Sequence, residues 1–277
     1  VLDLANIVFQ EKLGTVADKT HRVMKLAEFI AERLNANVEH AKRAALLAKA
    51  DLLTSMVGEF GNLQGIMGRY YALAEGEPSE VAWAIEEQYF PKQSGSPTAS
   101  SATGQILAIA EKIDTLTGIF SACLIPTGDK DPYALRRAAL GALRTIIENN
   151  LTLDIRTVID YSLNLFNHSF DIEKTRTLVT DFVFERLKGY CLDKGYTTDE
   201  FEAVMTVKPQ DPLDFMQRLA AVKTFRQLPQ AARLAAANKR IRNILKKSEA
   251  EPAQEVGALV EEAELRLLAS AKASASD

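Results

Sequence analysis

The stretch Val16-Ala17-Asp18-Lys19-Thr20-His21-Arg22-Val23-Met24-Lys25-Leu26-Ala27-Glu28-Phe29-Ile30-Ala31-Glu32-Arg33-Leu34 decides the fold class. Val23, Leu26, Ala27 and Ile30 recur at spacings of three and four, with Lys19, Arg22, Lys25, Glu28 and Glu32 between them. Wound as a helix, this order gathers the apolar side chains on one face and the charges on the other. The same period predicts helices over 38–53, 79–89, 106–120, 132–148, 155–166 and 175–188, with a shorter one after Thr198. Three more are predicted over 213–225, 230–246 and 254–271. Asn37 is placed to cap the second helix, Pro78 and Pro91 bracket the third, and Asn149-Asn150 ends the one before 150. No alternating β-branched run with hairpin turns stands out, and no strand, glycine loop and helix follow one another. The expected fold is therefore all-α and multi-helical, with helices packed around more than one core.

The chain has 277 residues, 47% of them hydrophobic and 25% charged, which is ordinary for a globular chain of about two domains. That apolar content excludes disorder as the overall state, and 14 glycines with nine prolines exclude a collagenous one. No apolar run is long enough to cross a bilayer, so no membrane partner is expected. Cys123 and Cys191 stand far apart with no second cysteine near either. They read as buried free thiols in a reducing cytoplasm rather than as a disulfide or a metal site. The start, Val1-Leu2-Asp3-Leu4, carries neither a methionine nor a signal-type core and reads as a cut into a longer polypeptide.

The net charge is −4, yet the signs are segregated. Lys223, Arg226, Arg233, Lys239, Arg240, Arg242, Lys246 and Lys247 follow one another without an acidic residue, and the tail from Ser248 is acidic. A helix so charged can displace counterions from a phosphate backbone, or it can be a solvated face paired with the acidic tail.

Catalytic arrangements are missing. His21, His40 and His168 form no HExxH and have no adjacent aspartate, so no metal site is expected. Glu86-Glu87 and Glu261-Glu262 are neighbours that project from different helix faces and do not converge as an acid and a base. No phosphate-cradling glycine loop is present. The run Gln93-Ser94-Gly95-Ser96-Pro97-Thr98-Ala99-Ser100-Ser101-Ala102-Thr103-Gly104 is small, polar and uncharged, and predicts a mobile loop.

Three segments are more distinctive. The first is Met56-Val57-Gly58-Glu59-Phe60-Gly61-Asn62-Leu63-Gln64-Gly65-Ile66-Met67-Gly68-Arg69-Tyr70-Tyr71-Ala72, whose glycines suit close backbone approach. The second is Pro126-Thr127-Gly128-Asp129-Lys130-Asp131-Pro132-Tyr133-Ala134-Leu135-Arg136-Arg137-Ala138-Ala139-Leu140-Gly141, in which Asp131 caps a helix that Pro132 would begin. The third is Ala235-Ala236-Ala237-Asn238-Lys239-Arg240-Ile241-Arg242-Asn243-Ile244-Leu245.

With Phe9-Gln10-Glu11-Lys12-Leu13-Gly14-Thr15 and Asp18-Lys19, these segments resemble, in order over about 5–250, the β subunits of the bacterial two-subunit glycyl-tRNA synthetases. The resemblance implies an aminoacyl-tRNA synthetase in which this chain is itself non-catalytic. Glycine would be activated on a separate α subunit holding ATP and magnesium, with no cofactor in this chain. Its partners would be tRNA(Gly) and that α subunit, in the cytoplasm.

The resemblance further implies a degenerate HD-like helical domain over 1–124, a helical linker region over 125–208, and the incomplete start of an anticodon-binding-type helical domain over 209–277. An editing-like domain would precede Val1. Aligned with the HD pattern, Lys19 falls where the first histidine would be and Ala48-Lys49 where the His-Asp pair would be. Glu111 falls near the final aspartate. With the His-Asp pair gone, two metal ligands are missing, and the metal-dependent hydrolase chemistry should be lost with them. Lys49 would put a cation where a metal sat, as a structural substitute or an RNA contact.

The residues expected to touch RNA are Lys130, Arg136 and Arg137 on the middle helix and Lys239, Arg240 and Arg242 on the late one. Arg136 and Arg137 have a structural alternative, pairing with Asp129, Asp131 or Glu148. The glycine-rich segment 58–68 is open to packing, RNA or subunit contact. A surviving HD-type phosphohydrolase and a pure subunit-docking scaffold are the competing functions.

Overall fold

A computed structural model describes residues 2–93, 95–247 and 262–274. Val1, Ser94 and most of the acidic tail lie outside the described residues, as do the side chains of Lys246 and Lys247. A 3-10 turn, Leu2–Asn6, leads into a small antiparallel hairpin of β1 (Val8–Gln10) and β2 (Gly14–Thr15). The hairpin is too short for a period-two signal to register in the sequence. It delivers Thr15 as the N-cap of α1 (Val16–Arg33), where Thr15 and Asp18 form a reciprocal capping box. Asp18 is thereby held below its ordinary value, chiefly by its hydrogen bond from the Thr15 amide.

The apolar face read from the sequence is the buried one: Val23, Leu26, Ala27 and Ile30 are almost wholly covered. They pack on α2 (Val38–Leu47) and on α6 (Ala102–Ser121). The helix expected to run to residue 53 stops at Leu47 and is followed by a 3-10 turn, Ala50–Leu53. Then come α3 (Ser55–Glu59), α4 (Ile66–Ala74) and α5 (Ser79–Glu87), the last against α6.

Helix α6 is the axis of the fold. Sixteen of its 20 residues are buried, so apolar side chains surround it on nearly every side. On its far side lie α7 (Leu135–Glu148), α8 (Ile155–Leu163) and α9 (Ile172–Asp193). The apolar core runs without a break from Leu13 through Ile113 and Leu187 to Leu219. Helices α10 (Thr198–Met205) and α11 (Pro212–Arg226) contribute Phe201 and Phe215, whose rings stand 4.9 Å apart. Two helices follow, α12 (Ala231–Lys247) and α13 (Glu262–Ser274).

The chain divides into two compact units, Val1–Phe225 and Arg226–Asp277. The boundaries expected at 124/125 and 208/209 both fall inside the first unit, where one core crosses them.

Two expectations are corrected by side-chain hydrogen bonds to backbone amides. The segment 93–104 is anchored rather than free. The buried Glu87 carboxylate accepts from the Ser100 amide at 2.9 Å, the Ser100 hydroxyl at 2.6 Å, the Ser101 amide at 3.2 Å and the Ser101 hydroxyl. Ser101 in turn caps α6, which begins inside the expected loop.

The middle helix starts at Leu135, not Pro132. Asp131 does cap it, but its two carboxylate oxygens accept from the amides of Leu135 at 2.8 Å and Arg136 at 2.9 Å. Helical geometry can begin only there, and Ala134 takes a left-handed conformation to permit it. Of the thiols, Cys191 is buried and pushed up to about 12 by that burial, whereas Cys123 is exposed. Among the described residues no helix is long and apolar enough to cross a membrane.

Candidate nucleic-acid interface

Three of the four positions aligned with the HD ligands come together between α1, the turn before Ala50–Leu53, and α6. Lys19, one turn into α1, is buried on the inward face; its ammonium donates to the Thr115 hydroxyl at 2.7 Å and lies 3.1 Å from Asp114 Oδ2 and 3.4 Å from Glu111 Oε1. Lys49 reaches the same Glu111 oxygen at 3.6 Å and donates to the Tyr89 hydroxyl at 3.1 Å. Ala48 offers only its carbonyl, which accepts from Gln88 Nε2 at 2.7 Å.

Two further residues complete the cluster. Asp114 is fully buried, and Arg22 Nε lies 2.8 Å from its Oδ1. The Arg22 guanidinium also donates to the Leu13 carbonyl at 3.0 Å and lies over the Phe166 ring.

The electrostatics follow from that arrangement. Burial alone would raise Glu111, but the ammoniums of Lys19, Lys49 and Lys112 hold it down at about 2. Burial disfavours the Lys49 ammonium, yet Glu111 and Tyr89 outweigh it and raise the group. Lys112 is pulled down to about 8 by burial, with Glu111 acting in the opposite sense. Its ammonium donates to the carbonyls of Phe90 at 2.8 Å, Gln88 at 2.9 Å and Ala108 at 3.3 Å, an acceptor set that suits the charged form.

A dication does not fit this donor set. Two lysine ammoniums stand against the carboxylate, and neither can ligate while protonated. Among the described residues no group of three or more His, Cys, Asp or Glu could hold a metal ion.

Above Glu111 opens a cavity of about 560 Å3, bordered by Asn62 and Gln64, by Tyr89, Pro91 and Lys92, and by Tyr133, Arg137 and Ala138. The glycine-rich segment and the Asp131 segment, far apart in sequence, thus meet at one opening. Gly65 makes the meeting possible. Its φ is +80°, and a Cβ there would lie 2.6 Å from two Tyr89 ring carbons. Gly141 serves similarly on α7, since its Cβ would come within 2.7 Å of Lys112 Cε.

The expected RNA-contacting residues separate into two places. Arg137 is exposed on the border of the cavity. Arg136 turns back and donates to the Gly128 carbonyl. Lys130 is exposed in a tight turn closed by reciprocal bonds with Thr127. The alternative pairings are not made among the described residues: Asp131 is engaged by backbone amides, and Glu148 by Arg144 at 2.7 Å.

Lys239, Arg240 and Arg242 are all exposed on α12, in the second unit. Leu234, Ile241 and Ile244 on that helix are each more than half exposed. The acidic tail with which this helix was expected to pair falls largely outside the described residues.

Sequence reasoning overlooked Asp114, Arg22, Tyr89 and Lys92. A signal existed for the first: Glu111, Lys112 and Asp114 are the only charges within α6, an otherwise apolar helix.

Comparison with known proteins decides the family. A family model described as glycyl-tRNA synthetase beta subunit matches residues 1–206. The chain belongs to that family. The match takes in both segments that meet at the cavity and ends before α12. The glycine–tRNA ligase beta subunit of Pseudomonas aeruginosa (strain LESB58) is 49% identical over 274 residues, which is 98% of this chain and 40% of that protein. That of Ralstonia nicotianae (strain ATCC BAA-1114 / GMI1000) is 50% identical over 249 residues, 90% of this chain and 36% of that protein. The chain therefore spans about 40% of the length of such family members.

Proposed function

We infer that this chain is a tRNA-binding part of a glycine–tRNA ligase beta subunit. It holds tRNA(Gly) while glycine is activated with ATP and magnesium on a separate alpha subunit, in the cytoplasm. The observation that carries the reading is a contrast between two sets of cations. Lys19, Arg22 and Lys49 are inside and paired with Glu111 and Asp114, so they serve the fold. Lys130, Arg137, Lys239, Arg240 and Arg242 are exposed, and none forms an ion pair among the described residues. Exposed cations without carboxylate partners are the groups that gain by releasing counterions from a phosphate backbone. A-form RNA hides its base edges in a deep, narrow major groove, so phosphate and shape contacts would dominate.

The test is the salt dependence of tRNA(Gly) binding to the chain and to its Lys239/Arg240/Arg242→Ala variant. Loss of about three phosphate contacts lowers the slope of log K against log salt by roughly 2 units. An unchanged slope removes the late helix from the interface.

A docking scaffold for the alpha subunit is the second reading. It draws on Met56, Phe60, Tyr70 and Trp83, large apolar residues exposed in and beside the glycine-rich segment. Association with the alpha subunit without tRNA, together with no RNA affinity at any salt, would favour it. The metal-dependent hydrolase reading has no such support, because ammoniums occupy two of the positions where its ligands would stand.

A further inference from the structure

The cavity over Glu111 has walls of three chemical kinds. Tyr89 and Tyr133 present aromatic surface, Lys92 and Arg137 present exposed cations, and Asn62 and Gln64 present exposed amides. Gln88 is almost fully buried. Its Nε2 donates to the carbonyls of Ala48 at 2.7 Å and Ile85 at 2.8 Å, which fixes the orientation of the amide. Its Oε1 is left buried without a partner. That acceptor is closed off from solvent, so it lies behind the cavity wall and is not offered to an occupant. The floor does not repel an anion, since Lys19 and Lys49 more than offset Glu111 and Lys112 also borders the cavity.

We propose that this cavity receives one unstacked nucleotide unit, a base together with its phosphate. The base lies against the tyrosines, its polar edge meets the exposed amides of Asn62 and Gln64, and the phosphate meets Lys92 and Arg137. A volume of about 560 Å3 lies in the range of small-ligand sites and admits no duplex. Aromatic faces beside cations are the recurring means of holding unpaired nucleotides, because every base has a π face. The nucleotide is an unpaired one of a bound RNA or a free mononucleotide, the two sources sharing this chemistry. The RNA source rests on the function proposed above.

The experiment uses the 277-residue chain and its Tyr133→Ala/Arg137→Ala variant, both changes being at exposed positions, with thermal melts confirming that each is folded. Affinities are measured for a blunt RNA hairpin, for the same hairpin with an unpaired 3′ tail, and for AMP, CMP, GMP and UMP. The tail is expected to tighten binding roughly tenfold, and the variant to lose that ratio. Mononucleotide binding that the variant abolishes, with no advantage from the tail, supports the site with a free nucleotide as its occupant. A tail advantage that the variant retains, or no measurable preference for any of these probes, overturns the proposal. A blunt hairpin that fails to bind at any salt counts against the tRNA-binding function instead, and the mononucleotide measurements then decide the cavity separately.

Discussion

Lys49 holds its ammonium 3.6 Å from Glu111 Oε1, and Lys19 approaches that same oxygen at 3.4 Å. One carboxylate on α6 thus ties together α1 and the turn that follows α2. Glu111 has a pKa of about 2 in the fold against an ordinary 4.5, so folding favours its ionised form. Its contribution to stability is complete above about pH 4.5 and is lost as pH falls toward 2. Glu111→Gln should cost about 2–3 kcal/mol at neutral pH and flatten the acid limb of the stability curve over that window. Urea titrations at a series of pH values read both effects.

Asp114 is the more severe position. Removing its carboxylate strands Arg22 and Lys19, two buried cations that α1 cannot turn out to water. Asp114→Ala is expected to cost about 3–5 kcal/mol, seen as a large drop in the urea midpoint. A cost below about 1 kcal/mol would show that the cluster relaxes into solvent.

Glu87 decides whether segment 95–101 is ordered. With the carboxylate gone, the Ser100 and Ser101 amides lose their acceptor. Glu87→Ala should cost about 1–3 kcal/mol and open a new site of limited proteolysis within 95–101. The unaltered chain should resist cleavage there.

Two glycines of one segment should respond in opposite directions. Gly65→Ala places a methyl group 2.6 Å from the Tyr89 ring at a left-handed φ of +80°, and should cost at least about 2 kcal/mol. Gly58 has open space around it and lies within α3, so Gly58→Ala should gain a few tenths to about 1 kcal/mol. Thermal melts of the two variants make the comparison.

Those contrasts mark how far the sequence can be read. Helix α1 was legible because Val23, Leu26, Ala27 and Ile30 carry the 3.6-residue period by themselves. The family was legible because its residues cluster in short, dense segments. What escaped was set at long range. Nothing local distinguishes Ser100 and Ser101 from a free loop until Glu87 stands opposite them. Asp131 was read as a cap, but a cap can serve a helix that starts four residues further on, and only the Ala134 conformation decides which. The alignment brought Lys19, Lys49 and Glu111 forward, while Asp114 and Arg22 needed the packing of α1 on α6 to show their partnership. The cavity joins residues 62–64 to residues 133–138, and no sequence pattern relates the two.

The cations that balance Glu111 and Asp114 are bonded to the polypeptide itself, on α1 and in the turn after α2. Nothing has to be taken up from the surroundings to supply them, and neither dilution nor a chelator such as EDTA can draw them away. The centre of this helical unit keeps its charge balance for as long as its lysines stay protonated.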